Sequence, residues 1–203
     1  MLTGPRYGAG MSKHASDFTA AAPASLTDEN ALLRASLAEA RARIEALEAA
    51  TETDPLTGLA NGARFERELE RVTSNAERHG TAAALVYIDL RGLKTINAQH
   101  GRFAGDAALI HVADTLTGLI RAGDVLARIG GDLFALILDH LDHDSAIDAA
   151  ERLARCIAAD PVDLGPSVVS VEAAVATTGI LPGDSVREVM LRAARNLAVA
   201  RDA

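Results

Sequence analysis

A glycine pair, Gly130–Gly131, stands between two apolar runs in RAGDVLARIGGDLFALIL, residues 121–138. Two apolar runs joined so tightly form an antiparallel hairpin, with Asp132 at the tip and Leu133 just after it. Around the hairpin, helical periods alternate with strand-like runs. Such alternation alone would point to crossover-linked parallel strands; an embedded hairpin points instead to a mixed or antiparallel sheet carrying helices, an α+β domain. TAAALVYIDL, residues 81–90, is apolar at nearly every position, as a strand buried on both faces requires.

The remaining elements follow from spacing. Helices are predicted over about 61–79, 93–99, 103–121, 145–159 and from Ser185 onward, with a strand in SVVSVEAAVAT, residues 167–177. The element order of this part is α-β-α-α-β-β-α-β-α, without an internal repeat. Ahead of it, Leu26, Asn30, Leu33, Leu37, Ala40, Ile44, Leu47 and Thr51 alternate spacings of four and three, a heptad seam. A helix over 26–51 would reach roughly 39 Å, with Thr27 or Asp28 as its N-cap. Asn30 on the seam favours a two-stranded, in-register pair, so a coiled-coil dimerisation helix is predicted over 26–53. TDPLTGL breaks it at Pro55 and Gly58, and the globular part occupies 54–203. Residues 1–25, rich in Gly, Ala, Ser and Pro without periodicity, read as a disordered leader.

Charge narrows the function classes. The 28 acidic residues outnumber the 20 Lys and Arg, for a net charge of −8. A polyanion needs a basic footprint, so nucleic acid and anionic membrane are disfavoured as partners. No apolar run has the length of a membrane span, and the N-terminus lacks a signal-peptide pattern, so a cytoplasmic chain is expected. The single cysteine, Cys156, cannot close an internal disulfide and, beside Leu153 and Ile157, is expected to be a buried core thiol.

Three blocks carry a family pattern: DPLTGLAN with a following Phe65, YIDLRGLKTINAQHGRFAGD, and RAGDVLARIGGDLF. In order and spacing they resemble the GGDEF family, the diguanylate cyclases, over residues 54–203. The resemblance implies a nucleotidyl-cyclase-like, palm-like sheet with surrounding helices. It implies a pocket for GTP with Mg²⁺, one GTP per subunit of a dimer, and cyclic di-GMP as product. Attack of a 3′-hydroxyl on an α-phosphate needs a hard cation, acids to hold it and cations for the phosphates. By resemblance, Asp89, Asp132 and the Leu90 carbonyl are the metal ligands. Lys94 is retained, Asn97 and Asp106 read guanine, and Gly130 and Gly131 let the backbone approach phosphate.

The departures bear on catalysis. Leu133 stands where active members have a second acid, giving GGDLF, and Arg91 replaces an Asp. Leu93, Ala98, Arg102, Gly62 and Ala63 also depart from the pattern. Arg201 takes the place of a phosphate-binding Lys, and the terminal Gly-Arg and last strand are expected to be missing. Leu133 and Arg91 move the local formal charge by about three units toward positive, which lowers divalent-cation affinity steeply. Arg91 is free by this reading to pair with Asp132 or with a phosphate.

Arg121 and Asp124, five residues before the glycine pair, match the family's inhibitory-site spacing, and Arg152 matches a further arginine of that site. Guanine O6 and N7 suit an arginine fork, and its N1 and N2 hydrogens suit a carboxylate. LDHLDHD, residues 138–144, holds His140, His143 and three aspartates. It reads as a solvated loop with Asp144 or Ser145 as N-cap rather than a metal cluster. Three functions are consistent with these residues, in descending order. The first is a catalytically silent cyclic di-GMP receptor acting on a protein effector. The second is a slow diguanylate cyclase, and the third a ligand-free dimeric scaffold.

Overall fold

The computed structural model describes residues 26–165 and 167–202. The leader predicted for 1–25 lies outside the described residues. The elements are α1 Leu26–Thr51, α2 Gly62–His79, β1 Ala83–Arg91, α3 Leu93–His100, α4 Arg102–Leu119, β2 Val125–Gly130, β3 Leu133–Asp139, α5 His143–Ala159, β4 Val162–Asp163, β5 Val168–Val169, β6 Glu172–Ile180 and α6 Val186–Asp202. The chain divides into a unit ending at Ala42 and a second from Arg43 onward. Among the described residues, no helix is long and apolar enough to cross a membrane.

Helix α1 begins in the first unit and runs as the heptad period requires. It already includes Thr27 and Asp28, so neither is a cap outside the helix; Asp28 and Glu29 instead place acid in the first turn, where the helix dipole favours it. On the seam, Leu33, Leu37 and Ile44 are 64%, 51% and 53% exposed.

The second unit holds an antiparallel four-stranded sheet in the order β2-β3-β1-β6. Helices cover both faces, which is why β1 is buried from Ala83 to Leu90 and apolar there except at Asp89, although its neighbours are antiparallel. Ala84, Val86, Ile88 and Leu90 join a core with α4 and α5. Ala83, Leu85 and Tyr87, alternate residues of the same strand, join a second core with α2 and α6. The α+β architecture is the one the hairpin predicts.

Several boundaries differ from the sequence reading, each for a local reason. α4 ends at Leu119, because Ile120 is extended and Arg121–Asp124 closes a turn. α5 starts at His143: the Asp142 carboxylate accepts from the Ser145 N–H at 3.0 Å and its hydroxyl at 2.8 Å, so Asp142 is the cap. The strand expected over 167–177 is two elements. β5 pairs with β4 across a turn at Gly165, and β6 extends to Ile180 because β1 pairs with all nine of its residues. Cys156 is half-buried, not a core thiol; the buried line of α5 is Ala146, Ala150, Leu153 and Ile157, and position 156 lies about 100° around from it.

Candidate functional site

The hairpin tip is built by backbone geometry. β2 and β3 pair up to Gly130 opposite Leu133, with a register irregularity between Arg128 and Gly130. Gly131 turns the chain at φ +33, a region costly for a residue with a Cβ. The Leu90 N–H donates to the Asp132 carbonyl at 3.0 Å, which holds the tip against the end of β1.

Arg128 fastens this tip to the loop before α2. Its Nη2 and Nε donate to the Gly131 carbonyl at 2.7 and 3.0 Å. Its Nη1 donates to both Asp54 oxygens at 3.1 and 2.9 Å. Asp54 also accepts from the Thr57 N–H and hydroxyl. Burial alone would raise the Asp54 pKa, but these Thr57 bonds and the Arg128 charge hold it below the usual carboxylate range. Neither Arg128 nor Asp54 stands out as a site residue in the sequence. A lone arginine inside the apolar run VLARIG is the available signal for one, whereas DPLTGL signals only a helix break.

Asp89 lies directly opposite Leu133 in the β1–β3 ladder, so the two share a face of the sheet. That face is the one α6 covers, and Leu133 packs against its core. Arg201, in the last turn of α6, closes a fork on Asp89: Nε donates to Oδ2 at 2.8 Å and Nη2 donates to Oδ1. Hydrogen bonding to Asp89 raises the Arg201 pKa against the opposing effect of burial, and the charges of Asp89 and Asp132 add to the rise. Arg91, on the same strand face, donates from Nη2 to the carbonyls of Ala200 and Arg201 at 2.8 and 3.1 Å. These are end carbonyls of a helix, which lack partners within it and attract cations. The described bonds of Arg91 thus go to α6, not to Asp132 as the sequence reading allows.

The structure brings most of the predicted nucleotide residues to one cavity of about 550 Å³, lined by Lys94, Asn97, Arg102, Asp106, Arg128, Gly131 and Asp132 among others. A neighbouring cavity of about 440 Å³ shares Arg102, Asp106, Arg128 and Gly131 and adds Asp54, Asn61 and Gly130. Asp89 and Leu90 line neither. Asn97 packs against Gly105 so closely that a Cβ there would collide with its side-chain amide. Asp106 faces Arg102 one turn earlier at 4.0 Å.

Arg121, Asp124 and Arg152 line a separate small cavity of about 40 Å³, together with Leu119, Asp139 and Leu141. The Asp124 Oδ2 accepts from the Arg121 N–H at 3.0 Å, and the Asp124 N–H donates back to the Arg121 carbonyl at 3.0 Å. The turn thereby presents both side chains from one corner of the fold. Among the described residues, the His and Asp run included, no group of three His, Cys, Asp or Glu side chains is placed to hold a metal.

A family model described as "Diguanylate cyclase, GGDEF domain" matches residues 51–203. The bifunctional diguanylate cyclase/cyclic di-GMP phosphodiesterase MucR of Pseudomonas aeruginosa is 32% identical over 165 residues, covering 80% of this chain and 24% of MucR. The probable diguanylate cyclase DgcE of Escherichia coli is 40% identical over 119 residues, 57% of this chain and 10% of DgcE. The chain thus matches only a small part of the length of these relatives. Among solved structures, the coiled coil and GGDEF domain of DgcB from Caulobacter crescentus in complex with cyclic di-GMP superposes with a TM-score of 0.71 at 25% identity, covering 87% of this chain and 94% of that one. The diguanylate cyclase SiaD from Pseudomonas aeruginosa, in complex with its activator SiaC, gives a TM-score of 0.72 at 27% identity, covering 87% and 68% of the two chains. With the hairpin, the sheet order and the family match over residues 51–203 in agreement, this chain belongs to the GGDEF family.

Proposed function

We propose that this chain is a receptor for cyclic di-GMP, which it binds through Arg121, Asp124 and Arg152, and that it makes little or no cyclic di-GMP itself. The observation that carries the receptor reading is the gathering of those three side chains around one cavity from two separate elements. A cavity of about 40 Å³ cannot engulf a dinucleotide. The ligand lies across its mouth, with a guanine edge between the Arg121 fork and the Asp124 carboxylate and its phosphates toward the arginines. Arg121 and Arg152 are exposed, so affinity falls as salt rises. The cyclic di-GMP complexes of the structurally similar DgcB domain are consistent with a ligand of this class.

The residues at the family's metal position do not fit Mg²⁺, which takes oxygen ligands in near-octahedral geometry. Asp89 is forked by Arg201, and Leu133 offers no oxygen from its side chain. Asp132 remains at this corner, but with Asp89 engaged by a guanidinium it does not supply the paired free acids that a metal-assisted attack on an α-phosphate requires.

The larger cavity supports a second reading, that GTP is held without turnover. Asn97 and Asp106 would meet the guanine edge, and Lys94, Arg102 and Arg128 would supply positive charge to the phosphates. For helix α1, the exposed seam at Leu33, Leu37 and Ile44 supports a homodimer through residues 26–51. A protein effector would then read the ligand state of the dimer.

Calorimetry of the full chain with cyclic di-GMP tests the receptor reading. Saturable binding with a heat signal is expected. Its absence at saturating ligand leaves the scaffold reading in its place.

A further inference from the structure

We propose that the guanidinium of Arg201 is the resident cation of Asp89: it takes the place of a divalent metal there and fastens the last turn of α6 onto the sheet. Both oxygens of Asp89 are engaged, by two nitrogens of one planar fork. A fork of this kind matches a carboxylate better than a point charge does. The Asp89 side chain is only 10% exposed, while Arg201 covers it from the solvent side at 48%. A cation approaching from solvent therefore meets the guanidinium before it meets the acid.

The surroundings favour the internal cation over a metal. Leu133, directly across the ladder, presents methyl groups beside Asp89 and adds no side-chain oxygen to the corner. Two residues along the same strand face, Arg91 holds the Ala200 and Arg201 carbonyls, which fixes the backbone from which the Arg201 side chain reaches down. Each arginine thus supports the other: Arg91 positions the helix end, and Arg201 satisfies the buried acid. A buried carboxylate without a partner carries a desolvation cost, and here the chain's own cation offsets it. Asp132 remains close enough for its charge to act on Arg201, so both acids of this corner already act on one internal cation.

The test uses Mn²⁺ as the probe and needs no nucleotide, so its outcome is independent of the cyclic di-GMP reading. Mn²⁺ is titrated into the full chain and into Asp89→Asn, with binding followed by electron paramagnetic resonance and Tm by circular dichroism. The expected result is no stoichiometric Mn²⁺ site in the unmodified chain and no rise in its Tm on adding Mn²⁺. Arg201→Met is expected to melt about 2–6 °C lower, and Arg201→Lys, which keeps a charge but loses the fork, to fall between the two. A stoichiometric Mn²⁺ site in the unmodified chain that Asp89→Asn removes overturns the proposal. An Arg201→Met protein that melts with the unmodified chain overturns it as well. Should the Arg201 variants prove insoluble, the Mn²⁺ titrations of the unmodified chain and of Asp89→Asn decide alone.

Discussion

Asp89 and Leu133 face each other across the β1–β3 ladder, an acid paired with an aliphatic side chain on the sheet face that α6 covers. The pairing explains why a hairpin tip carries a leucine: the side chain is not at the tip but one residue beyond it, in the strand, where it extends the core formed by α2 and α6. An acid at this position in place of Leu133 would stand a few ångströms from Asp89.

Replacing Leu133 by Glu should therefore not create a cyclase. Leu133→Glu adds a carboxylate beside Asp89, but Arg201 still engages both Asp89 oxygens and Arg91 still holds the end of α6. With GTP and Mg²⁺, chromatography of the products should show no cyclic di-GMP from the unmodified chain or from the variant. Robust turnover by either rules out the silent reading.

The proposed receptor site has its own signature. Arg121→Ala and Asp124→Ala should each weaken cyclic di-GMP binding by roughly ten- to a hundredfold, since hydrogen bonds to charged groups are worth about 1.5–3 kcal/mol. Asp132→Ala, which lines the other cavity, should leave the affinity nearly unchanged. Calorimetry on the four proteins separates the two sites.

Gly105 tests whether the larger cavity holds a nucleotide. Gly105→Ala forces the Asn97 amide to move, because the new Cβ would occupy its place. Asn97 is exposed and swings away cheaply, so the stability loss should stay below about 1 kcal/mol. Binding of a fluorescent GTP analogue should nevertheless fall several-fold, an affinity loss without a matching shift in Tm.

Asp184 predicts the acid limb of stability. Its hydrogen bond from Arg192 holds its pKa below the ordinary 3.8, against some burial, with further help from the Leu181 N–H. A depressed folded pKa contributes stability that is fully present above the ordinary value and is lost as pH falls through the lower, folded one. Asp184→Asn should cost about 1 kcal/mol near neutrality, discounted for the solvent around Arg192. The gap to the unmodified chain should close below about pH 4 in urea titrations at stepped pH.

Deleting residues 26–51 should convert a parallel dimer into a monomer at micromolar concentration, as read by light scattering. An unchanged dimer mass would place the interface on the globular unit.

Much of this protein is determined by local sequence. The glycine pair between apolar runs specifies a hairpin, and the apolar length of β1 specifies burial on both faces, because turn chemistry and side-chain period act over a few residues. The same locality makes DPLTGLAN, YIDLRGLKTIN and RIGGDLF legible as family motifs, and the structure gathers Lys94, Asn97, Asp106 and Asp132 around one cavity. What the period cannot convey is which face meets which. In sequence, Arg201 resembles a phosphate ligand and Arg91 a partner for Asp132. Their partners in the fold are set by the axial rotation of α6 on the sheet and by the register that puts Asp89 opposite Leu133. Arg201 and Asp89 stand 112 residues apart in the chain. Contacts at such separation follow from packing two amphipathic faces together, so tertiary structure alone decides that Asp89, which by resemblance reads as a metal ligand, is held by an arginine.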